Sequence, residues 1–404
     1  MEIIDLPELG AGEILDPTEG ERRALLATGR HLKLEWLSDG RVHVKPNGFV
    51  GSVRVSDERM LRVTTKVPIA NVLGLVSLAY RSMRVPVEVG RTLLEESQPL
   101  DWLTLLLISE TEALLQCDLR HGYIELETEL PYIRGRIQFH RQVATWSQPG
   151  LTPCRFSDFT PNTSENRVLR ATLESLMTVT LYPGLRDRVD ALTRMLPNVT
   201  LGWLSRALFS SVRVTRLNQA YGPALELCRI YFEHRGVDDA AGRIAAPAFF
   251  FPMAEVFEKA IGNFLAGRLP NVRVQTGGSL HAVAGEPAHT FAYTPDLVVG
   301  DPAQLVLDTK YSKAERVNAW GGLTYQNEHA YQLVFYGLAH GCPGMLIYPR
   351  DDRDIDATYE LNDQQFTFIT VDLERDSLDG LPALAEAVRR RASQVRLEAP
   401  AASP

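Results

Sequence analysis

The sequence predicts a multi-domain α/β protein, and three observations lead to this fold class. The 404 residues are enough for two or three domains of ordinary size. The first 70 residues alternate apolar and polar side chains as strands do, and helix-type spacing follows. Helices and short apolar runs then alternate. We therefore predict a small β-rich N-terminal domain at 1–68, a mainly helical, arginine-rich middle region at 69–240, a C-terminal α/β domain at 241–396 and a disordered tail at 397–404.

The composition excludes several classes of protein. No apolar run reaches the roughly 20 residues that a membrane helix needs, and the first residues lack the basic and apolar regions of a signal peptide. We therefore expect a cytoplasmic protein without a membrane partner. The four cysteines are far apart and form no CxxC pair, which predicts free thiols rather than a zinc or iron–sulfur site.

The elements of the first two regions follow from their periodicity. Strands are predicted at "HLKLEWL", "RVHVKPN", "GSVRVS" and "MLRVTTKVP", a pattern typical of a small barrel or curled sheet. Helices are predicted at "NVLGLVSLAYRSM" and "DWLTLLLISETEALLQ", followed by loop signals up to "SQPGLTPC". A helix capped by Ser164 comes next, and two or three more helices extend to about Arg235.

The C-terminal region alternates helices and strands. Its predicted order is a helix at "PMAEVFEKAIGNFLAGRL", a strand at "NVRVQTG", a hairpin at "YTPDLVVGDPAQLVLDTKYSK", a helix at "NEHAYQLVFYGLAHG", a strand at "GMLIYP", a further strand near "QFTFITVDL" and a last helix at "ALAEAVRRRASQV". This order indicates helices packed around a mixed sheet.

The charge is distributed unevenly along the chain. The net charge is −8, but residues 131–216 contain twelve arginines, no lysine and five acidic residues, a local charge of +7. Local clusters of charge, rather than the net charge, determine whether phosphate is attracted. Arg134, Arg136 and Arg141 are therefore candidates for contacts with DNA or a protein partner, and a solvated arginine-rich surface is the alternative.

The predicted hairpin contains the candidate catalytic and metal-binding residues. With its turn centred on Pro302, antiparallel pairing places Asp296 opposite Asp308, on the same face as Lys310. Two adjacent carboxylates repel each other unless a cation lies between them. Oxygen ligands favour Mg²⁺, for which Mn²⁺ could substitute, whereas zinc prefers His or Cys. The alternative is a surface ion pair between an aspartate and Lys310.

These residues resemble the motif of the PD-(D/E)xK nucleases. "TPD" is followed, after eleven intervening residues, by "DTK". Glu258 in "FEKAI" is at the position where many of these nucleases have an additional metal-site acid. Gln332 and Tyr336 in "QLVFY" are similar to the Gln-x-x-x-Tyr pattern of the RecB-type branch and share one helix face. The resemblance implies a restriction-endonuclease-like fold for the C-terminal domain.

The chain as a whole resembles the McrC family, the nuclease subunits of McrBC-type restriction systems that act on DNA with modified cytosine. The resemblance rests on seven segments in the same order, "KVPIANVLGLVSLAY", "YIRGRIQF", "FSDFTPNTSENRVLRATL", "YTPDLVV", "VLDTKYSK", "AYQLVFYGL" and "GMLIYP". It implies a Mg²⁺-dependent DNA endonuclease subunit that docks on an McrB-like AAA+ GTPase hexamer and stimulates it. It also implies that Asp296 and Asp308 are metal ligands, Lys310 the catalytic lysine and Glu258 an accessory ligand.

Two alternative functions stay open. One is a stand-alone nuclease of the RecB or Cas4 type, and the other is a non-cleaving adaptor that activates an AAA+ ring. The chain has no GxxxxGK[ST] motif, so we expect it to bind no nucleotide through a P-loop. The region from Met1 to Thr65 looks like an extension that shorter relatives lack, and its role stays open at this point.

Overall fold

The computed structural model of the 404-residue chain describes residues 2–8, 10–81, 99–139, 150–179, 182–213, 215–235, 248–280, 291–317, 323–374 and 378–398. The chain forms two compact units. Unit 1 comprises Met1–Pro99 and His234–Pro404, and unit 2 comprises Leu100–Glu233. The domain boundaries predicted at residues 68, 240 and 396 stay predictions.

The described strands, in chain order, are β1 (Glu2–Pro7), β2 (Glu13–Leu15), β3 (Leu32–Trp36), β4 (Val42–Pro46), β5 (Phe49–Arg54), β6 (Arg59–Thr64), β7 (Gly122–Leu130), β8 (Arg136–Ile137), β9 (Thr152–Thr160), β10 (Ala248–Pro252), β11 (Val272–Val274), β12 (Gly278–Leu280), β13 (Phe291–Tyr293), β14 (Leu297–Val299), β15 (Leu305–Thr309), β16 (Glu315–Val317), β17 (Leu323–Tyr325), β18 (Gly344–Pro349), β19 (Asp356–Leu361) and β20 (Gln364–Val371). The described α-helices are α1 (Glu19–Ala27), α2 (Ile69–Tyr80), α3 (Pro99–Gln116), α4 (Ser164–Val179), α5 (Pro183–Arg194), α6 (Arg206–Ser210), α7 (Gly222–His234), α8 (Met253–Ala266), α9 (Asn327–His340) and α10 (Gly380–Glu398), and a 3₁₀ helix covers Arg216–Tyr221.

The N-terminal strands of unit 1 form two sheets. The first has the order β1-β6-β5-β10 and the second β2-β4-β3. All four strands predicted in this region are present, because alternating side chains fill a core of leucines and valines. Helix α1 was not predicted. It begins with a capping box in which Thr18 and Glu21 exchange hydrogen bonds.

Strand β10 joins the N-terminal sheet to the start of the C-terminal region. It pairs antiparallel with β5, so that Gly51 lies opposite Phe250. A Cβ atom at Gly51 would lie 2.1 Å from the carbonyl oxygen of Phe249, so the close approach of the two strands requires glycine here.

Helices α2 and α8 pack together within unit 1. The side-chain amide of Asn263 donates hydrogen bonds of 2.9 Å to the carbonyl oxygens of Leu78 and Ala79. The carbonyl of Leu78 also accepts a 3.4 Å bond from the N–H of Arg81, and carbonyls in the last turn of a helix lack the regular partner four residues further on. The amide of Asn263 therefore caps α2 and fixes it against α8.

The C-terminal half of unit 1 is a mixed sheet with flanking helices, as predicted. The strand order is β11-β14-β15-β18-β20-β19. Strand β18 pairs in parallel with β15 and β20. The pairs β11-β14, β14-β15 and β19-β20 are antiparallel. Strand β19 and the two small sheets β12-β13 and β16-β17 were not predicted. Helix α10 extends to Glu398, two residues into the predicted tail, and residues 399–404 lie outside the described part of the chain.

Unit 2 contains the predicted helices from α3 to α7. One detail of the prediction was wrong, because Ser164 is not the cap of α4. The hydroxyl of Thr163 accepts a hydrogen bond from the backbone N–H of Asn166, and Ser164 is the first helical residue. Either hydroxyl could serve as a cap, and only the backbone angles distinguish them.

The middle region also contains a sheet that was not predicted. Strands β7, β9 and β8 form three antiparallel strands in that order. Strand β7 exposes side chains on most of its length. Its sequence nevertheless alternates, since glutamates separate Ile124, Leu126, Thr128 and Leu130, and this signal was missed.

In the part of the chain that the structure describes, no helix is long and apolar enough to cross a membrane.

Candidate active site

The hairpin of β14 and β15 has the predicted register. Leu297 pairs with Leu307, and the same pairing continued by one residue places Asp296 opposite Asp308. All strand residues of the hairpin are buried. The two acidic residues therefore lie at one end of an apolar sheet, where water screens their charges poorly.

Asp308 is the most deeply buried charged group of the site, with 1% of its surface exposed. Its Oδ1 atom has no hydrogen-bond partner. The Nζ atom of Lys310 lies 2.6 Å from Oδ2 as an ion pair. Burial, and then the charge of Asp296, raises the pKa of Asp308 to about 6, and Lys310 acts in the opposite direction. A buried carboxylate with one oxygen unpartnered is costly to maintain without a further cation.

Asp296 lies just before β14 and is half-buried. Its Oδ2 atom accepts hydrogen bonds of 2.7 Å from both the backbone N–H and the hydroxyl of Thr309. Thr309 is the neighbour of Asp308 in β15, so these bonds fix the carboxylate of Asp296 against the strand that carries the second acid.

Glu258 on α8 is the third carboxylate of the cluster. Its Oε1 atom accepts a 2.9 Å hydrogen bond from the side-chain amide of Gln275. Burial, and then the negative charge of Asp296, raises the pKa of Glu258, and Gln275 and Lys310 act against this shift. The three acids and the lysine therefore interact electrostatically as one group.

Helix α9 carries Gln332 and Tyr336 on one face, as their spacing predicts. The amide Nε2 of Gln332 donates a 2.8 Å hydrogen bond to the hydroxyl of Tyr336. The ring of Tyr336 packs with Val298 and Val306 of the hairpin. Val306 is two residues before Asp308, so α9 covers the sheet face on which Asp308 projects.

Two further residues beside the cluster were not found from the sequence. The backbone N–H of Lys310 bonds to the carbonyl of Ile347, so Tyr348 follows directly beside the lysine in the parallel strand β18. The hydroxyl of Tyr348 lies 3.0 Å from Nδ1 of His329. Burial and the charge of Asp308 raise the pKa of Tyr348, while burial and Lys310 lower the pKa of His329. The proximity of Tyr348 to Lys310 follows from the pairing of β15 with β18, which the sequence does not show.

The donor chemistry of the cluster fits a hard divalent cation. The Oδ1 atom of Asp308 is buried without a hydrogen-bond partner, and Asp296 lies opposite. Within the described ranges, however, no group of three or more His, Cys, Asp or Glu side chains is close enough to hold a metal ion. Mg²⁺ commonly binds through one or two carboxylates and keeps several waters, so a pair of aspartates is enough for it. The assignment of Glu258 as a third ligand stays a prediction.

The candidate arginines are in unit 2. Arg134 donates a 2.6 Å hydrogen bond to Asp158, and its guanidinium lies 4.2 Å from the ring centre of Phe156. Arg136 lies in β8, opposite Arg155. Arg141 lies outside the described residues. Contacts of these arginines with DNA or a partner stay a prediction.

The fold and the cluster together define a multi-domain α/β protein with acidic and lysine side chains gathered at one end of a mixed sheet. Residues 44–349 match the model of a protein family described as McrBC 5-methylcytosine restriction system component. The match covers well over half of the chain, and the chain belongs to this family. The resemblance to McrBC-type restriction systems is thereby confirmed.

Individual relatives are distant. The type IV methyl-directed restriction enzyme EcoKMcrBC of Escherichia coli (strain K12) is 20% identical over 326 residues, which are 77% of this chain and 94% of that protein. Among solved structures, the chain is similar to one in a half-complex from the tetradecameric assembly of Thermococcus gammatolerans McrB AAA+ hexamers with bound McrC. The TM-score is 0.58 and the identity 15%, with 96% of this chain and 100% of that chain covered. At this identity the similarity shows the fold.

Proposed function

We propose that this chain is the DNA-cleaving subunit of a modification-dependent restriction complex, and that its C-terminal domain is a Mg²⁺-dependent PD-(D/E)xK endonuclease. The observation that carries the proposal is the environment of Asp308. Its carboxylate is almost fully buried and lies opposite Asp296; Oδ2 is paired with Lys310, and Oδ1 has no hydrogen-bond partner. Perturbed ionisable groups of this kind concentrate at functional sites.

In this proposal Asp296 and Asp308 hold the ion, with Glu258 as an accessory acid. When bound, Mg²⁺ supplies positive charge that stabilises the charge developing on a phosphate oxygen. Lys310 orients the water that attacks the scissile phosphate, since its ammonium is held beside Asp308. Thr309 keeps Asp296 in position through its two hydrogen bonds.

Helix α9 contributes the wall of the proposed site. Gln332 and Tyr336 bond to each other, and the Tyr336 ring packs on the hairpin. This arrangement supports the similarity to the RecB-type nucleases. We expect the pair to exclude water from the face that carries Asp308, which strengthens the electrostatic interactions there.

The proposed partner is an McrB-like AAA+ GTPase hexamer. The support is family membership and the similarity of the fold to a chain in an assembly of McrB AAA+ hexamers with bound McrC. The proposed substrate is double-stranded DNA with modified cytosine, because the family is described as a 5-methylcytosine restriction component. The GTP would be bound by the partner, since this sequence has no P-loop motif. Arg134 and Arg136 are proposed contacts with the partner or with DNA.

The proposal is tested by reconstitution. A cytosine-methylated plasmid is mixed with the chain, the AAA+ partner, GTP and Mg²⁺, and each component is then left out in turn. Double-strand cleavage that requires all four components, and that an unmethylated plasmid does not undergo, is the expected result. Cleavage by the chain and Mg²⁺ alone would identify a stand-alone nuclease instead. Stimulated GTP hydrolysis without cleavage would identify a non-cleaving adaptor.

A further inference from the structure

A buried carboxylate from the N-terminal segment reaches the loop that follows the candidate active site. Glu8 comes directly after β1 and has 6% of its surface exposed. Its carboxylate accepts a 2.8 Å hydrogen bond from the backbone N–H of Lys66. It also accepts bonds from the hydroxyl of Tyr311, at 3.0 Å to Oε1 and 3.2 Å to Oε2. The N-terminal segment thereby contacts the residue next to Lys310.

Tyr311 is confined on both sides. Its hydroxyl is held by Glu8, and its ring centre lies 5.7 Å from that of Phe257, the neighbour of Glu258 on α8. Burial, followed by the negative charge of Glu8, raises the pKa of Tyr311 well above its usual value, so the phenol stays protonated and donates. The side chain next to Lys310 therefore has little freedom to rotate.

The other end of the same loop is also fixed. The backbone N–H of Ser312 bonds to the carbonyl of Lys310, which closes a tight turn around Tyr311. Lys313 forms a 3.0 Å ion pair with Asp351, and Asp351 is also paired with Lys66. Tyr311 therefore attaches the loop 310–313 to Glu8. Lys313 attaches the same loop to Lys66 through Asp351.

The cost of burying the Glu8 carboxylate indicates that this side chain orients the groups that it binds. Burying a carboxylate raises its free energy, and burial is the main cause of the raised pKa of Glu8. An apolar side chain would fill the same position without this cost. The carboxylate, however, binds the phenol of Tyr311 and the backbone of Lys66 at once, and an apolar group cannot orient either of them.

We propose that Glu8 is a positioning residue of the candidate active site, which acts through Tyr311 to fix the backbone that carries Lys310. The inference rests on the proposed function in so far as Lys310 takes part in cleavage. It gives the N-terminal region, whose role the sequence leaves open, a defined part in the nuclease site.

The test uses the full chain with Glu8→Gln and Tyr311→Phe. Glu8→Gln keeps one carbonyl acceptor and the size of the side chain, and Tyr311→Phe removes only the hydroxyl. Glu21→Gln is the matched control, because Glu21 is also buried in unit 1 but bonds to Thr18, Ser56 and Arg59. Hydrogen–deuterium exchange of the peptide containing residues 310–313 reports how firmly the loop is held.

We expect amide exchange of this peptide to become about tenfold faster in Tyr311→Phe, because one buried hydrogen bond is lost. Exchange should become faster by a smaller factor in Glu8→Gln, whose amide oxygen can still accept from Lys66 and Tyr311, and should stay unchanged in Glu21→Gln. In the reconstituted cleavage reaction, the rate at saturating plasmid should fall about tenfold or more, while the plasmid concentration for half-maximal rate stays the same. The maximal rate of Glu21→Gln should stay at the wild-type value. This comparison separates positioning from a general loss of stability, because a smaller folded fraction would also lower the maximal rate.

Unchanged exchange in both variants would overturn the proposal, and so would faster exchange with an unaltered maximal cleavage rate. If the wild-type complex does not cleave DNA, the proposed function fails. The exchange measurement then still decides whether Glu8 holds the loop, since it does not depend on cleavage.

Discussion

The ammonium of Lys310 lies 2.6 Å from Oδ2 of Asp308, at the end of a strand that begins with three apolar residues. Lys310 is more exposed than Asp308, with 22% of its side chain accessible against 1%. The lysine can therefore reach a bound phosphate, while the aspartate is shielded from water. This difference in exposure underlies the separate roles proposed for the two residues.

Lys310→Gln should lower the cleavage rate of the reconstituted complex by about 100-fold, because a positioned ionisable group typically contributes this much to a proton-transfer or water-orienting step. Plasmid binding should change little, since the substitution leaves the rest of the site in place. Lys45→Gln is the control, as Lys45 is also ion-paired, with Glu35, but lies in β4, apart from the cluster. Cleavage by Lys310→Gln within twofold of the wild-type rate would exclude the catalytic role.

Tyr336 provides a test of how α9 covers the sheet. Tyr336→Phe should lower the free energy of unfolding by about 1 kcal/mol, through loss of the bond from Gln332. Tyr336→Ala should lower it by about 3–5 kcal/mol, because the ring packs on Val298 and Val306. Urea unfolding measures both, with the exposed Tyr331→Phe as control. Equal effects of the two substitutions at Tyr336 would contradict this packing.

Gly51 marks the close contact of β5 with β10. Gly51→Ala should lower the free energy of unfolding by about 1–3 kcal/mol, because the new Cβ would lie 2.1 Å from a backbone oxygen. Gly20→Ala is the control, since nothing lies within 4 Å of its added Cβ and alanine favours the helix. A neutral effect at Gly51 would mean that the two strands are further apart than described.

His31 should make stability depend on pH. Burial is the main cause that lowers its pKa from 6.5 to about 4. The ring stacks on Phe250 at 4.7 Å, and its Nε2 atom has no hydrogen-bond partner. The unfolded chain binds a proton on His31 at a higher pH than the folded chain does. The contribution of the neutral His31 ring to the free energy of unfolding is therefore complete above pH 6.5 and is lost as the pH falls to 4.

The shift corresponds to about 3 kcal/mol. Between pH 7 and pH 4, the wild type should lose about that much more unfolding free energy than His31→Phe, which keeps a ring at this position but cannot be protonated. Denaturant unfolding at a series of pH values gives the difference. Parallel curves for the two proteins would show that His31 does not titrate in this range.

Much of the fold could be predicted because local patterns determine it. The hairpin register followed from the position of Pro302 in the turn, and helices such as α8 and α9 followed from their periodicity. Strand β7 was missed although Ile124, Leu126 and Leu130 alternate with polar residues, which is the signal that could have identified it. The cap of α4 was assigned one residue too late, because neighbouring hydroxyls look alike in a sequence.

Geometry alone could predict the site only where its residues share one local element, and Glu258 on α8 was named through the resemblance to known nucleases. Asp296, Asp308 and Lys310 belong to one hairpin, so turn geometry is enough to bring them together. Tyr348 joins them through the parallel pairing of β15 with β18. Glu8 is about 300 residues away in the sequence and meets Tyr311 through tertiary packing. No local pattern encodes contacts of this kind.

The most direct test of the central claim compares cleavage by wild type, Asp308→Asn and Asp301→Asn in the reconstituted complex with Mg²⁺ and GTP. Asparagine keeps the shape of aspartate but removes its charge, and Asp301 is an exposed acid in the turn of the same hairpin. We predict that Asp308→Asn lowers the rate about 1000-fold or more, because several kcal/mol of stabilisation by the ion would be lost. Asp301→Asn should cleave like the wild type, and all three should stimulate the partner's GTP hydrolysis equally. Undiminished cleavage by Asp308→Asn would contradict the assignment of this site.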